Sequence, residues 1–329
     1  MNNPSQTYGT TAELCAPAKR RRRAAAIFRL FRRRYIGHAA MILQIFLIGP
    51  AYVIVKQTTL EFDPVLLQTF RSTIAGTALA IFFFARGGLK GRRLEWRDWT
   101  GLLALSISGM VVNQIMYLVG LRLTTPANSA LIYALTPMLV FAASIFWLKS
   151  ERATFRKSLG VGLALAGALT TILTAPPAGR DAPNIPLGNA FTVVALFAWT
   201  FYVLKSPSVV ARVGALIATA IPVWMAAAIF LPFGLPKFWE TDFSKISAGA
   251  WFGLAYVSLY NSALSFFLMA FAFKSLKSSQ AAVYMNAPPI IAGLFSVAMG
   301  YDEPRAALII GAMLTVSGIY LLNSARRKN

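Results

Sequence analysis

Ten stretches of mostly apolar residues, each about 17–25 long and bounded by charge, Pro or Gly, run through this chain, and each can cross the hydrocarbon core of a bilayer as one helix. They place predicted membrane helices at residues 39–55, 65–85, 99–121, 129–148, 159–175, 187–204, 213–235, 251–273, 281–300 and 306–322. Composition agrees, since 57% of the residues are hydrophobic and the 13% that are charged cluster between the apolar stretches, which excludes an ordinary soluble fold. The expected fold class is all-α integral membrane with ten transmembrane helices.

A net charge of +21 would suggest nucleic acid as a partner of a soluble chain, but here the basic residues follow the loops rather than one face. With the N-terminus inside, 25 of the 32 Lys and Arg fall in inner segments, 6 fall in outer loops, and Arg71 lies within the second span. Inner loops are the ones enriched in Lys and Arg, so both termini are expected in the cytoplasm. The first 36 residues form a basic tail in which an Arg run at 20–23, then Arg29 and Arg32 to Arg34, are interleaved with Ile27, Phe28, Leu30 and Phe31. That mixture fits an anionic lipid surface. Cys15 is the one cysteine, so neither a disulfide framework nor a cysteine metal cluster is expected, and no cofactor is called for.

The chain also repeats itself. A shift of 152 residues lays Ala130 on Ala282, Pro137 on Pro289, Ser144 on Ser296 and Glu151 on Glu303 without a gap. Gly160 and Gly167 match Gly311 and Gly318 at a shift of 151, and Tyr52 and Val53 match Tyr202 and Val203 at 150. The unit is therefore five spans, at 37–180 and 181–325, with 326–329 as a short C-terminus. An odd number of spans turns the second copy upside down. Two inverted repeats imply two packings of similar energy, one open to each side, which is alternating access.

The segments TTPANSALIYALTPMLVFAASIFWLKSER, KSSQAAVYMNAPPIIAGLFSVAMGYDEP and VLLQTFRSTIAG resemble the drug/metabolite transporters of the ten-helix EamA type, over about residues 37–325. The resemblance implies secondary transport of a small metabolite, often amino-acid export. The long basic tail and the LKSER and YDEP endings depart from the usual family pattern.

Polar side chains inside spans must find partners or line a wet cavity. In the eighth span Ser258, Asn261, Ser262 and Ser265 recur at i, i+3, i+4 and i+7, which predicts one polar stripe on an α-helix. In the third, Asn113, Gln114 and Tyr117 cluster, and Asn113 falls on Ser265 at the 152 shift, so both patches are expected to face one central cavity. Interhelical hydrogen bonding is the plain alternative. Tyr52, Tyr133, Trp199, Tyr202 and Tyr284 are candidate stacking surfaces, and Asn286 beside Pro288 and Pro289 is a further candidate at a kink. Arg71 is the one charge well inside a span, and a carboxylate clamp is weighed against an Arg held by backbone carbonyls. Glu151 and Glu303 are expected to order helix ends.

What is missing narrows the chemistry. No G-x-x-x-x-G-K-[ST] stretch is present, which leaves gradients rather than ATP as the energy source. A phosphorylated substrate calls for several cations, and only Arg71 is available. The expected substrate is a small neutral or zwitterionic metabolite, and the family resemblance implies an amino acid or related compound moved outward. Import of a vitamin or nucleoside is the alternative within the class. A lipid-modifying membrane enzyme is the alternative outside it, and one His with no carboxylate pair inside a span offers little material for one.

Overall fold

The computed structural model describes residues 35–324 other than 52–53, 56–57, 60, 90–92, 125–128, 130–131, 174–183, 289, 292–293 and 295–305. Residues 1–34 of the basic tail, together with Tyr52, Pro289 and Glu303, lie outside the described residues. Among the described residues ten main helices follow one another: α1 (Tyr35–Ala51), α2 (Pro64–Ala85), α3 (Trp96–Leu123), α4 (Thr136–Phe146), α5 (Phe155–Leu173), α6 (Ile185–Val213), α7 (Ala215–Glu240), α8 (Ala248–Ala272), α9 (Ser278–Tyr284) and α10 (Ala306–Ser324). Among the described residues α2, α3, α6, α7 and α8 are long and apolar enough to cross a membrane. Large side chains such as Ile81, Phe197, Phe233 and Met313 point outward, as expected where the solvent is lipid.

Local chemistry sets the helix ends. Asp63 caps α2 by accepting from Val65 N (2.8 Å) and Leu66 N (3.3 Å), and Pro64 takes the first position, where a missing N–H costs nothing. At the other end Gly87 and Gly88 adopt φ of 96° and 58°, and Gly88 N returns to Phe83 O. Asp63→Ala removes the cap and is expected to cost about 1 kcal/mol, read as a lower midpoint of thermal unfolding in detergent.

Several boundaries differ from the sequence expectation: α4 starts at Thr136 rather than 129, and α9 ends at Tyr284, well inside the span expected at 281–300. Residues 205–212, expected as an inner loop, continue α6, and the turn into α7 is made by Gly214 alone at φ 88°. Pro207 inside α6 removes one backbone bond rather than ending the helix, because a neighbouring side chain takes the carbonyl it frees, as described below. The seventh span, expected at 213–235, is one helix of 26 residues that runs through Pro222, Pro232 and Pro236 to Glu240.

Packing follows the repeat. α5 lies along α10, α2 along α7, α3 along α6, and α4 against α9. The tightest seams are lined by small residues. A Cβ on Gly160 would sit 2.8 Å from Leu322 N, and one on Gly318 would sit 2.5 Å from Gly160 O, so α5 and α10 touch backbone to backbone. Trp224 Nε1 donates to Gly76 O (2.7 Å) across the α2–α7 seam.

α3 and α8 each contain a π-helical segment, Ser106–Val112 and Val257–Leu264. The 152 shift carries one onto the other: Asn113 N bonds Ser108 O, and Ser265 N bonds Tyr260 O. This i→i+5 register is rare and concentrates at functional sites. It packs against the partner repeat in both copies, α3 on α7 and α8 on α2.

Candidate substrate cavity

A cavity of about 160 Å³ opens between α1, α2, α3, α4, α6, α8 and the break that follows α9. Arg71, Asn113, Gln114 and Tyr117 line it, as do Tyr133, Trp199, Asn261 and Ser265. Its position along the helices is off-centre. Arg71 sits in the second turn of α2, Tyr117 in the second-last turn of α3, and Tyr133 just before α4, all near the ends that share one face of the bundle.

One polar chain organises this wall. Arg71 is 6% exposed; its Nε donates to Ser262 Oγ (2.5 Å) and its Nη1 to Gln114 Oε1 (2.8 Å). Gln114 Nε2 donates to Asn113 Oδ1 (3.1 Å), and Asn113 Nδ2 donates to Tyr133 OH (2.6 Å) and Ala195 O (2.9 Å). Tyr133 meets Tyr117 edge-on at 5.4 Å. No carboxylate among the described residues pairs with Arg71, and two of its five N–H donors are engaged.

Much of the remaining lining is apolar. Trp199 lies flat on Tyr202 (5.2 Å, 16° between planes), meets Phe266 edge-on at 5.9 Å, and directs Nε1 at Met285 Sδ (3.2 Å). The repeat explains the contrast. At the 152 shift Gln114 falls on Phe266, Tyr133 on Met285 and Thr136 on Pro288, all six lining the cavity. Equivalent backbone positions thus carry polar side chains in the first repeat and apolar ones in the second.

Five sequence candidates stand elsewhere. Tyr202 is 1% exposed beneath Trp199 and over Gly109, so it supports the wall without forming it. Ser262 turns to Arg71, and Ser258 donates to Leu254 O, because the π register breaks the i, i+3, i+4, i+7 stripe and leaves Asn261 and Ser265 on the cavity. Tyr284 OH is bonded to His38 Nδ1 (2.9 Å), away from the cavity. Asn286, 1% exposed, is off the wall too, and neither amide atom has a partner among the described residues. Gln44 and Thr136 line the cavity and were missed in sequence. Gln44 meets the criterion used for α3 and α8, an uncharged polar residue within an apolar run. Thr136 precedes Pro137 and donates to Tyr133 O (2.6 Å), the carbonyl that this proline leaves without its helical donor.

The family model described as the EamA-like transporter family matches residues 35–173 and again 186–324. The chain belongs to the EamA-like transporter family. Its two matches are the two five-helix repeats. Among its relatives, the uncharacterized transporter YyaM of Bacillus subtilis (strain 168) is 24% identical over 82% of this chain and 90% of its own length. The aromatic amino acid exporter YddG of Ancylobacter novellus is 26% identical over 86% of this chain and 94% of its own length. A protein of known crystal structure shares the fold, with TM-score 0.70 at 22% identity over 88% of this chain and 99% of that one. The fold is therefore that of a ten-helix membrane transporter built from two repeats.

Proposed function

We propose that this protein is a secondary transporter that moves a small zwitterionic metabolite, an amino acid or close relative, outward across a bacterial cytoplasmic membrane by alternating access. The observation that carries this reading is Arg71, a buried cation with free donors and no carboxylate partner among the described residues, lining one small cavity together with aromatic and apolar side chains. A buried charge is costly in a membrane unless something neutralises it in use. A substrate carboxylate supplies that partner, and an apolar side chain suits Trp199, Phe266 and Met285. Outward direction is supported by the relative named as an aromatic amino acid exporter, and cytoplasmic termini by the Lys and Arg distribution. In the same reading the basic tail lies on anionic lipid.

Counterflow in proteoliposomes tests it. Vesicles loaded with an unlabelled apolar or aromatic amino acid should accumulate the labelled form, and Trp199→Ala should slow this by about tenfold for aromatic side chains and little for alanine. No counterflow of any amino acid by folded, inserted protein would overturn the reading.

A further inference from the structure

On the face opposite the cavity, side-chain bonds converge on the first turn of α9. Glu151, just past α4, is 7% exposed, and its carboxylate accepts from Ser279 Oγ and pairs with Lys157 Nζ at 2.6 Å. Lys277 Nζ reaches back to Ser150 O (3.3 Å). Ser278 Oγ donates to Val203 O (3.0 Å), the carbonyl that Pro207 leaves without its helical donor. A proline in α6 thus makes the acceptor for a serine of α9. Lower in the same helix, Tyr284 OH is bonded to His38 of α1.

The ties at the cavity face are of another kind. Thr124 Oγ1 donates to Asn189 Oδ1 (2.7 Å) between α3 and α6, and Glu61 accepts from Ser247 N (2.7 Å) and Oγ (2.8 Å) at the start of α8. These tie the end of α3 to α6 and the start of α2 to that of α8, and Glu61 is exposed. The bonds to Ser278 and Ser279 tie α9 to α6 and to the end of α4, and the carboxylate among them, Glu151, is buried.

We propose that Glu151, Ser278 and Ser279 form the latch of an inner gate, released when the cavity opens to the other face. Ser279 and Lys157 both stabilise the Glu151 carboxylate in a buried place, and a charge-assisted bond of this kind is stronger than a neutral one. Opening swings Ser279 away and wets the carboxylate. Each variant that removes one side of the latch therefore favours the open face. The latch rests on the alternating-access reading proposed above but not on the identity of the substrate.

Cysteine labelling reads it directly and needs no substrate. In a Cys15→Ser background, Ala282→Cys places a thiol at a fully buried site behind the latch, and Ile48→Cys places one on the cavity wall. Glu151→Gln and Ser279→Ala should each raise the rate at which a membrane-impermeant maleimide reacts at residue 282 by about tenfold, and should lower or leave unchanged the rate at residue 48. Ser279→Thr keeps the hydroxyl and should keep the parent rate. Val203→Cys, also buried, serves as a second probe if Ala282→Cys does not fold. Unchanged labelling behind the latch would overturn the proposal, and so would a rise at both positions, which marks general loosening.

Discussion

Arg71→Gln should reduce counterflow of a carboxylated amino acid by about a hundredfold or more, while leaving the folded protein intact. The magnitude follows from losing a charged, hydrogen-bonded partner in a dry site, which costs about 2–5 kcal/mol. Folding is expected to survive because the substitution removes a buried charge rather than creating one. Glutamine can still donate to Ser262 Oγ or to Gln114 Oε1, the two acceptors that Arg71 now satisfies. Arg71→Lys is not a conservative change here. A guanidinium can hold Ser262 and Gln114 while presenting further N–H groups to a planar carboxylate, whereas an ammonium has three donors and a different geometry. A substrate analogue lacking the carboxylate should be handled alike by the parent and by Arg71→Gln. Equal counterflow of a carboxylated substrate in both proteins, at matched insertion, would remove the clamp.

The polar wall of this cavity was legible in sequence because hydrocarbon makes polar residues conspicuous. Arg71, Asn113 and Gln114 stand out in apolar runs, and the structure links them through one hydrogen-bonded chain. The apolar wall was not legible by that test. Phe266 and Met285 look like any membrane-facing side chain, and only the repeat shift that maps Gln114 and Tyr133 onto them points to the cavity. The stripe in the eighth span went astray for a different reason. Its spacing assumes α-helical hydrogen bonding, and the Val257–Leu264 segment bonds one residue further along. Tyrosines posed a third problem, since a ring within a span can face a cavity, a second helix or lipid. Tyr202 fills the space over Gly109 and Tyr284 finds His38, partners far apart in sequence. The helix count and the duplication needed none of this, because span length and self-similarity are local readings. The continuation of α6 through Pro207 did need it, since the freed carbonyl is satisfied from α9.

Gly167→Val should abolish accumulation of folded protein, whereas Gly162→Val, five residues earlier on the same helix, should be tolerated. A Cβ on Gly167 would stand 2.5 Å from Gly311 O and 2.7 Å from Thr315 N, both backbone atoms of α10 that cannot rotate aside. The side chain therefore forces α5 and α10 apart along their length. That opens Gly160 against Leu322 and Gly318 against Ala164 as well, the close contacts on which membrane helices depend where burial from water contributes nothing. Overpacking one core site costs about 1–3 kcal/mol where neighbours can shift. Here several contacts are lost together, so a larger effect is expected. Gly162 is exposed on the lipid side, with nothing within 4 Å of an added Cβ, so valine there costs only helix propensity, roughly neutral against glycine. Fluorescence-detected size exclusion of tagged variants separates the two. A monodisperse peak for Gly162→Val with none for Gly167→Val is the expected result. Equal peaks would mean that the α5–α10 seam yields more easily than its backbone contacts imply, and the gate would then have to work against a scaffold that itself moves.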